Sequence, residues 1–93
     1  MIVGILMEIK IAENRVCMTP AGVEVMTHHK HQVLVEAGAG KGSGFTDAEY
    51  TSAGATIIGT AAEIYAKADM VMHVKEPQPQ EYEHIRKGQI VFT

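Results

Sequence analysis

The sequence predicts a three-layer α/β/α domain with a mostly parallel sheet of about five strands. Two observations carry this reading. Short apolar runs recur along the chain and are apolar on consecutive residues, as in strands buried on both faces. Helix-start signals stand between them, where parallel strands need crossover helices. Right-handed crossovers then cover both faces of the sheet. The order of the strands is not readable from periodicity.

Ile2 to Leu6 reads as the first buried strand. A loop runs from Glu8 to Met18. Thr19-Pro20 starts a helix: threonine can cap the free N–H groups, and proline fits the first helical position. Val23 and Met26 face the core on that helix, with Val25 less well determined. Val33-Leu34-Val35 is the second strand, and a glycine loop follows from Gly38 to Gly44. Thr46 and Glu49 have the spacing of a capping box, so a helix starts there and fades near Gly54. Ala55 to Ile58 is a short third strand. Thr60 and Glu63 repeat the capping spacing and open a helix carrying Ile64 and Ala68. Met70 to Val74 is the fourth strand. Pro77 and Pro79 break the chain, Glu81 to Arg86 is a brief helix ended by Gly88, and Ile90-Val91-Phe92 is the last strand.

A chain of 93 residues holds one small domain. With 46% hydrophobic and 20% charged residues its balance is that of a globular protein. The net charge is −3 and the eight Lys and Arg are scattered, which argues against a nucleic-acid partner. The run Ile2 to Met7 is too short to span a membrane and lacks the basic lead of a signal peptide. A single cysteine, Cys17, fits a reducing cytoplasm.

The glycine loop invites a nucleotide reading and fails it on spacing. A dinucleotide fingerprint begun at Gly38 meets Ser43, and one begun at Gly40 meets Phe45, where glycine is required. A P-loop needs Ser or Thr directly after Gly-Lys, and Lys41 is followed by Gly42. A turn with several positive-φ glycines is the expectation. The third strand has no terminal aspartate, against a phosphate-accepting receiver domain, and the first lacks the Ser/Thr-rich loop of a flavodoxin.

His28, His29 and His31 lack the helical interval that places two metal ligands on one face, so they read as residues of a helix end. No metal is expected. Cys17 reads as a packed thiol and His73, within a strand, as a packed or hydrogen-bonded residue. Arg15 and Lys75 are the candidate site. Arg15 lies in the loop after the first strand, and Lys75 follows the fourth. In a parallel sheet both belong to the carboxyl edge, where ligands bind. Arginine can grip a carboxylate with two parallel hydrogen bonds and lysine adds a point charge. The alternative is two solvated surface charges.

Seven stretches stand out together: Glu8-Ile9-Lys10, Glu13-Asn14-Arg15-Val16, Thr19 to Val23, Val33 to Glu36 with Gly38-Ala39-Gly40, Gly42 to Asp47, Ala68 to Met72, and Val74-Lys75-Glu76-Pro77. In this order they resemble the amino terminus of alanine dehydrogenases. This order of motifs is specific for the family shared with the transhydrogenase alpha subunit, and covers nearly the whole chain. The wording at Gly42 to Asp47 and Lys75 to Pro77 is closer to alanine dehydrogenase.

The resemblance implies a flavodoxin-like substrate domain of a cytoplasmic homo-oligomer. It implies an enzyme that interconverts L-alanine and pyruvate with NAD, releasing ammonia. Arg15 and Lys75 match the family's substrate-carboxylate ligands. No catalytic or cofactor-binding residue is expected within the chain. The family's catalytic histidine, its nucleotide-binding domain and a later returning segment fall beyond Thr93, so residues 1–93 are expected to be an incomplete substrate-binding segment, inactive and without NAD affinity alone. The family often has Pro-Lys-Glu where Leu6-Met7-Glu8 stands, and a glycine where Lys30 stands. A non-catalytic truncated paralogue that binds a small carboxylate or a protein is the alternative, as is a transhydrogenase alpha-subunit fragment.

Overall fold

The computed structural model describes residues 1–7, 16, 18–73, 81 and 84–92. Arg15, Cys17 and Lys75 lie outside the described residues, as does Val74. Within the described residues the elements are β1 (Ile2–Ile5), α1 (Pro20–His28), β2 (Gln32–Glu36), α2 (Asp47–Ser52), β3 (Thr56–Ile58), α3 (Ala61–Lys67), β4 (Met70–Met72) and β5 (Ile90–Phe92).

The five strands form one sheet in the order β3-β2-β1-β4-β5, and every pairing is parallel. Without the short edge strand β3, the inner strands follow the chain order 2-1-3-4, the opening of the flavodoxin-like order. β3 extends the sheet beyond β2, with Val35 opposite Ile57.

Strand side chains alternate between faces, and the alternation sorts them into two cores. Val3, Ile5, Val33 and Val35 are buried against Val23 of α1 and Tyr50 of α2. Leu6, Leu34 and Val71 are buried on the other face against Ile64 and Tyr65 of α3. The central strands β1, β2 and β4 are therefore covered on both sides, as their continuous apolar runs required. Gly4 belongs to the α3 face, where a Cβ would run into Ile64 Cγ2. A side chain there would push α3 off the sheet.

The helix starts follow the capping signals. Thr19 accepts the Gly22 N–H at 3.3 Å, with Pro20 at the first helical position. Thr46 and Glu49 make the full reciprocal box, and Thr60 accepts the Glu63 N–H at 3.3 Å. Such caps are each worth on the order of 1 kcal/mol. Met26 packs against the core while Val25 is 58% exposed. The expected helix from Glu81 to Arg86 includes positions 82 and 83, which lie outside the described residues.

The glycine loop makes the expected turn. Lys41–Ser43 form a 3-10 turn flanked by positive φ at Gly38 (81°) and Gly44 (86°). Gly40 has an ordinary φ and is glycine for space: a Cβ would lie 2.6 Å from Tyr50 Cε2. Tyr50 is fully buried and its hydroxyl donates to the Met18 carbonyl at 2.8 Å, tying α2 to the approach of α1. Burial, with Glu49 and Asp47 nearby, pushes its pKa up to about 12, so it stays a neutral donor. No helix among the described residues is long and apolar enough to cross a membrane.

Candidate functional site at the carboxyl edge of the sheet

The chain moves from β1 to β2 on one side and later places β4 on the other. This reversal makes a switch point between β1 and β4, and doubly wound sheets bind ligands in the crevice outside it. Ile5 is opposite Met72, so the two strands end side by side. Residues 8–15 follow β1 and residues 74–80 follow β4. The predicted pair, Arg15 and Lys75, falls in those two stretches.

A buried polar cluster stands at this edge on the α3 face. Leu34 and Glu36 share a parity on β2, as do Val71 and His73 on β4 and its extension, so all four point toward α3. His73 and Glu81 are 2% and 5% exposed. The Tyr65 hydroxyl donates to Glu81 Oε2 at 3.2 Å and lies 2.9 Å from His73 Nε2. His73 Nε2 and Glu81 Oε2 are 3.7 Å apart. Glu36 accepts the Met7 N–H at 2.9 Å, holding the chain as it leaves β1. Burial pushes the Glu36 carboxyl above its ordinary value; the Met7 bond pulls it back, Glu81 raises it further and His73 lowers it.

The expectation that His73 is a hydrogen-bonded core residue is met. Tyr65, Glu81 and Glu36 were not singled out in the sequence. The available signal was physical: a histidine in a buried strand needs a polar partner, and Tyr65 beside Ile64 is a buried ring with a hydroxyl to satisfy.

The glycine loop borders a cleft of about 600 Å³ with Lys41, Phe45, Thr46 and Asp47 on its walls. Asp47 Oδ1 already accepts the Gly38 N–H at 2.9 Å. A phosphate there would meet a carboxylate and lose that donor. At the end of α1, His29 Nδ1 lies 2.9 Å from the Val25 carbonyl, a local helix-end contact. Among the described residues no three His, Cys, Asp or Glu side chains group around a possible ion.

Comparison with known proteins places this architecture. Residues 4–93 match the family model described as alanine dehydrogenase/PNT, N-terminal domain. An alanine dehydrogenase of Mycobacterium tuberculosis is 52% identical over 91 residues, which are 98% of this chain and 24% of that protein. An alanine dehydrogenase of Bacillus subtilis is 53% identical over 93 residues, all of this chain and 24% of that protein. A solved L-alanine dehydrogenase superposes with a TM-score of 0.94 at 38% identity, covering 98% of this chain and 25% of the other. A solved transhydrogenase from Sinorhizobium meliloti gives 0.90 at 40% identity, covering 98% and 27%. The chain thus spans about a quarter of the length of the curated relatives it matches. Matched along nearly its whole length in both sequence and fold, the chain belongs to the alanine dehydrogenase/PNT family and corresponds to its N-terminal domain.

Proposed function

We propose that this chain is the substrate-binding segment of an NAD-dependent alanine dehydrogenase, a homo-oligomer that interconverts L-alanine and pyruvate. Arg15 and Lys75 hold the substrate carboxylate. The observation that carries this reading is the parallel register of β1 and β4, whose carboxyl ends are neighbours at the switch point. The stretches that hold the arginine and the lysine depart from those two ends. A guanidinium can donate two parallel hydrogen bonds to a carboxylate, while an ammonium adds charge without fixing orientation. Together they would orient the substrate and neutralise its charge at the crevice.

The chain's own residues do not suit the dinucleotide. The glycine spacing is wrong, and Asp47 occupies the Gly38 N–H. NAD binding is assigned to a part of the full-length protein outside residues 1–93.

The test is Lys75→Ala in the full-length protein. We expect kcat/KM for alanine to fall at least about tenfold, or roughly 1.4 kcal/mol of lost transition-state stabilisation. KM for NAD should stay unchanged. A folded variant within about twofold of the parent in kcat/KM would return Lys75 to a solvated surface charge. A second reading, a transhydrogenase subunit, is favoured by the 0.90 superposition on that structure. It expects hydride exchange between two nicotinamide dinucleotides without alanine, whereas the first expects NADH to form only when alanine is supplied.

A further inference from the structure

Carboxylate binding leaves the cluster of Tyr65, His73 and Glu81 without a role, and its burial calls for one. The three residues are 0%, 2% and 5% exposed. Enclosing a hydroxyl, an imidazole and a carboxyl is costly unless each finds partners. Tyr65 has one hydroxyl proton, and it goes to Glu81 Oε2. The hydroxyl oxygen lies 2.9 Å from His73 Nε2, and with that nitrogen carrying its proton it accepts there as well, linking His73 through Tyr65 to Glu81.

Tyr65 is itself held fast. Its carbonyl accepts from Arg86 Nε at 2.8 Å and from Gln89 Nε2 at 2.7 Å. Its ring stacks on His84 with centroids 5.9 Å apart. The helical side chain leans toward the start of α3, which in a parallel crossover is the carboxyl side of the sheet. The hydroxyl is therefore a fixed post at the edge of the candidate site. His73 and Glu81 are the two residues that flank positions 74–80, and the post brings their side chains to 3.7 Å. Lys75 is two positions from His73.

We propose that Tyr65, His73 and Glu81 are positioning residues for substrate binding, with one buried hydroxyl tying together the two ends of the 74–80 stretch and so setting the place of Lys75. This rests on the reading of Lys75 as a carboxylate ligand. A group displaced by about 1 Å can cost up to a hundredfold, and for a group that holds substrate and transition state alike the loss falls on KM, so three well-buried polar groups are explained by the precision they supply.

A double-mutant cycle in the full-length protein tests it. Tyr65→Phe removes the shared hydroxyl and keeps the ring. It should raise KM for alanine about tenfold and change kcat and KM for NAD by less than about twofold. On a Lys75→Ala background, Tyr65→Phe should add less than about twofold, because residues acting as one unit are not additive. Equal losses on both backgrounds would overturn the proposal, as would an unchanged KM for alanine or a matching rise for NAD. Where Tyr65→Phe fails to fold, His73 decides. His73→Gln keeps an N–H donor and should keep the parental KM, His73→Leu should not, and equal KM values for the two would overturn the proposal. The Lys75→Ala arm separates the two ideas. Parental kinetics there remove Lys75 from the site and the proposal with it, while a Lys75 effect without coupling to Tyr65 removes the positioning role alone.

Discussion

Lys30 shows how a single backbone angle enters the stability of the domain. It sits between α1 and β2 with φ of 69°, the only non-glycine with positive φ among the described residues. A β-carbon in the left-handed region costs roughly 1–2 kcal/mol. Lys30→Gly would remove that cost and return about half of it through the looser unfolded chain. A net gain of about 0.5–1 kcal/mol is expected, read as a higher denaturant midpoint with an unchanged slope. Glu36 carries the opposite kind of cost, in charge. Burial is the largest cause of its raised pKa. A folded-state pKa above the unfolded value means that the folded protein binds more protons in that window, so this group's contribution to stability rises as the pH falls through it. At neutral pH the ionised carboxylate is the costly form. Glu36→Gln keeps an oxygen for the Met7 N–H and removes the charge. We expect a higher Tm at pH 7, with the gap to the parent narrowing as the pH falls toward 4.5, the ordinary glutamate value. A gap that is constant with pH would place the effect in packing instead.

Among the elements, α3 depends most on one position outside itself. It rests on the sheet where Gly4 leaves room for Ile64 and Ala68. Gly4→Ala would force α3 outward, and overpacking of this kind costs about 1–3 kcal/mol. The variant should unfold at a lower urea concentration. Ile64→Ala removes the opposing methyl, so the double variant should lose less than the sum of the single losses. Failure of that coupling would mean the strain lies elsewhere. The elements themselves were legible for local reasons. Thr19-Pro20, the Thr46–Glu49 box and Thr60 announce helix starts through bonds made within three residues, and the structure makes them. The apolar runs announce strands buried twice over. The strand ends were less legible: Leu6 and Ala55 fall just outside β1 and β3. Both are buried, and burial rather than pairing is what an apolar pattern reports. The glycine loop shows the same limit of a local reading. Gly40 is fixed by the nearness of Tyr50, a contact ten positions away along the sequence.

At the scale of the whole molecule, strand order and the polar cluster depend on pairings far apart in sequence, so neither could be read from local pattern. Tyr65, His73, Glu81 and Glu36 meet only after β1, β2 and β4 are aligned. The same sheet leaves one edge with a consequence for the chain in isolation. β5 pairs with β4 alone among the described residues, in the register Met70 to Ile90 and Met72 to Phe92. Ile90 and Phe92 share a face with Met70 and Met72, the face of α1 and α2, yet they are 48% and 54% exposed. The helix layer does not reach them. An open parallel edge offers unpaired N–H and C=O groups, and with an apolar face beside it the edge pairs with other chains. Residues 1–93 alone should therefore self-associate, with a scattering mass that rises with concentration. Phe92→Lys places a charge on that edge, the device natural sheets use to block pairing, and should shift the chain toward monomer without altering the far-UV signal. If the parent chain stays monomeric at about 100 μM, the edge is too short to pair. If Phe92→Lys associates as strongly as the parent, some other surface makes the contact.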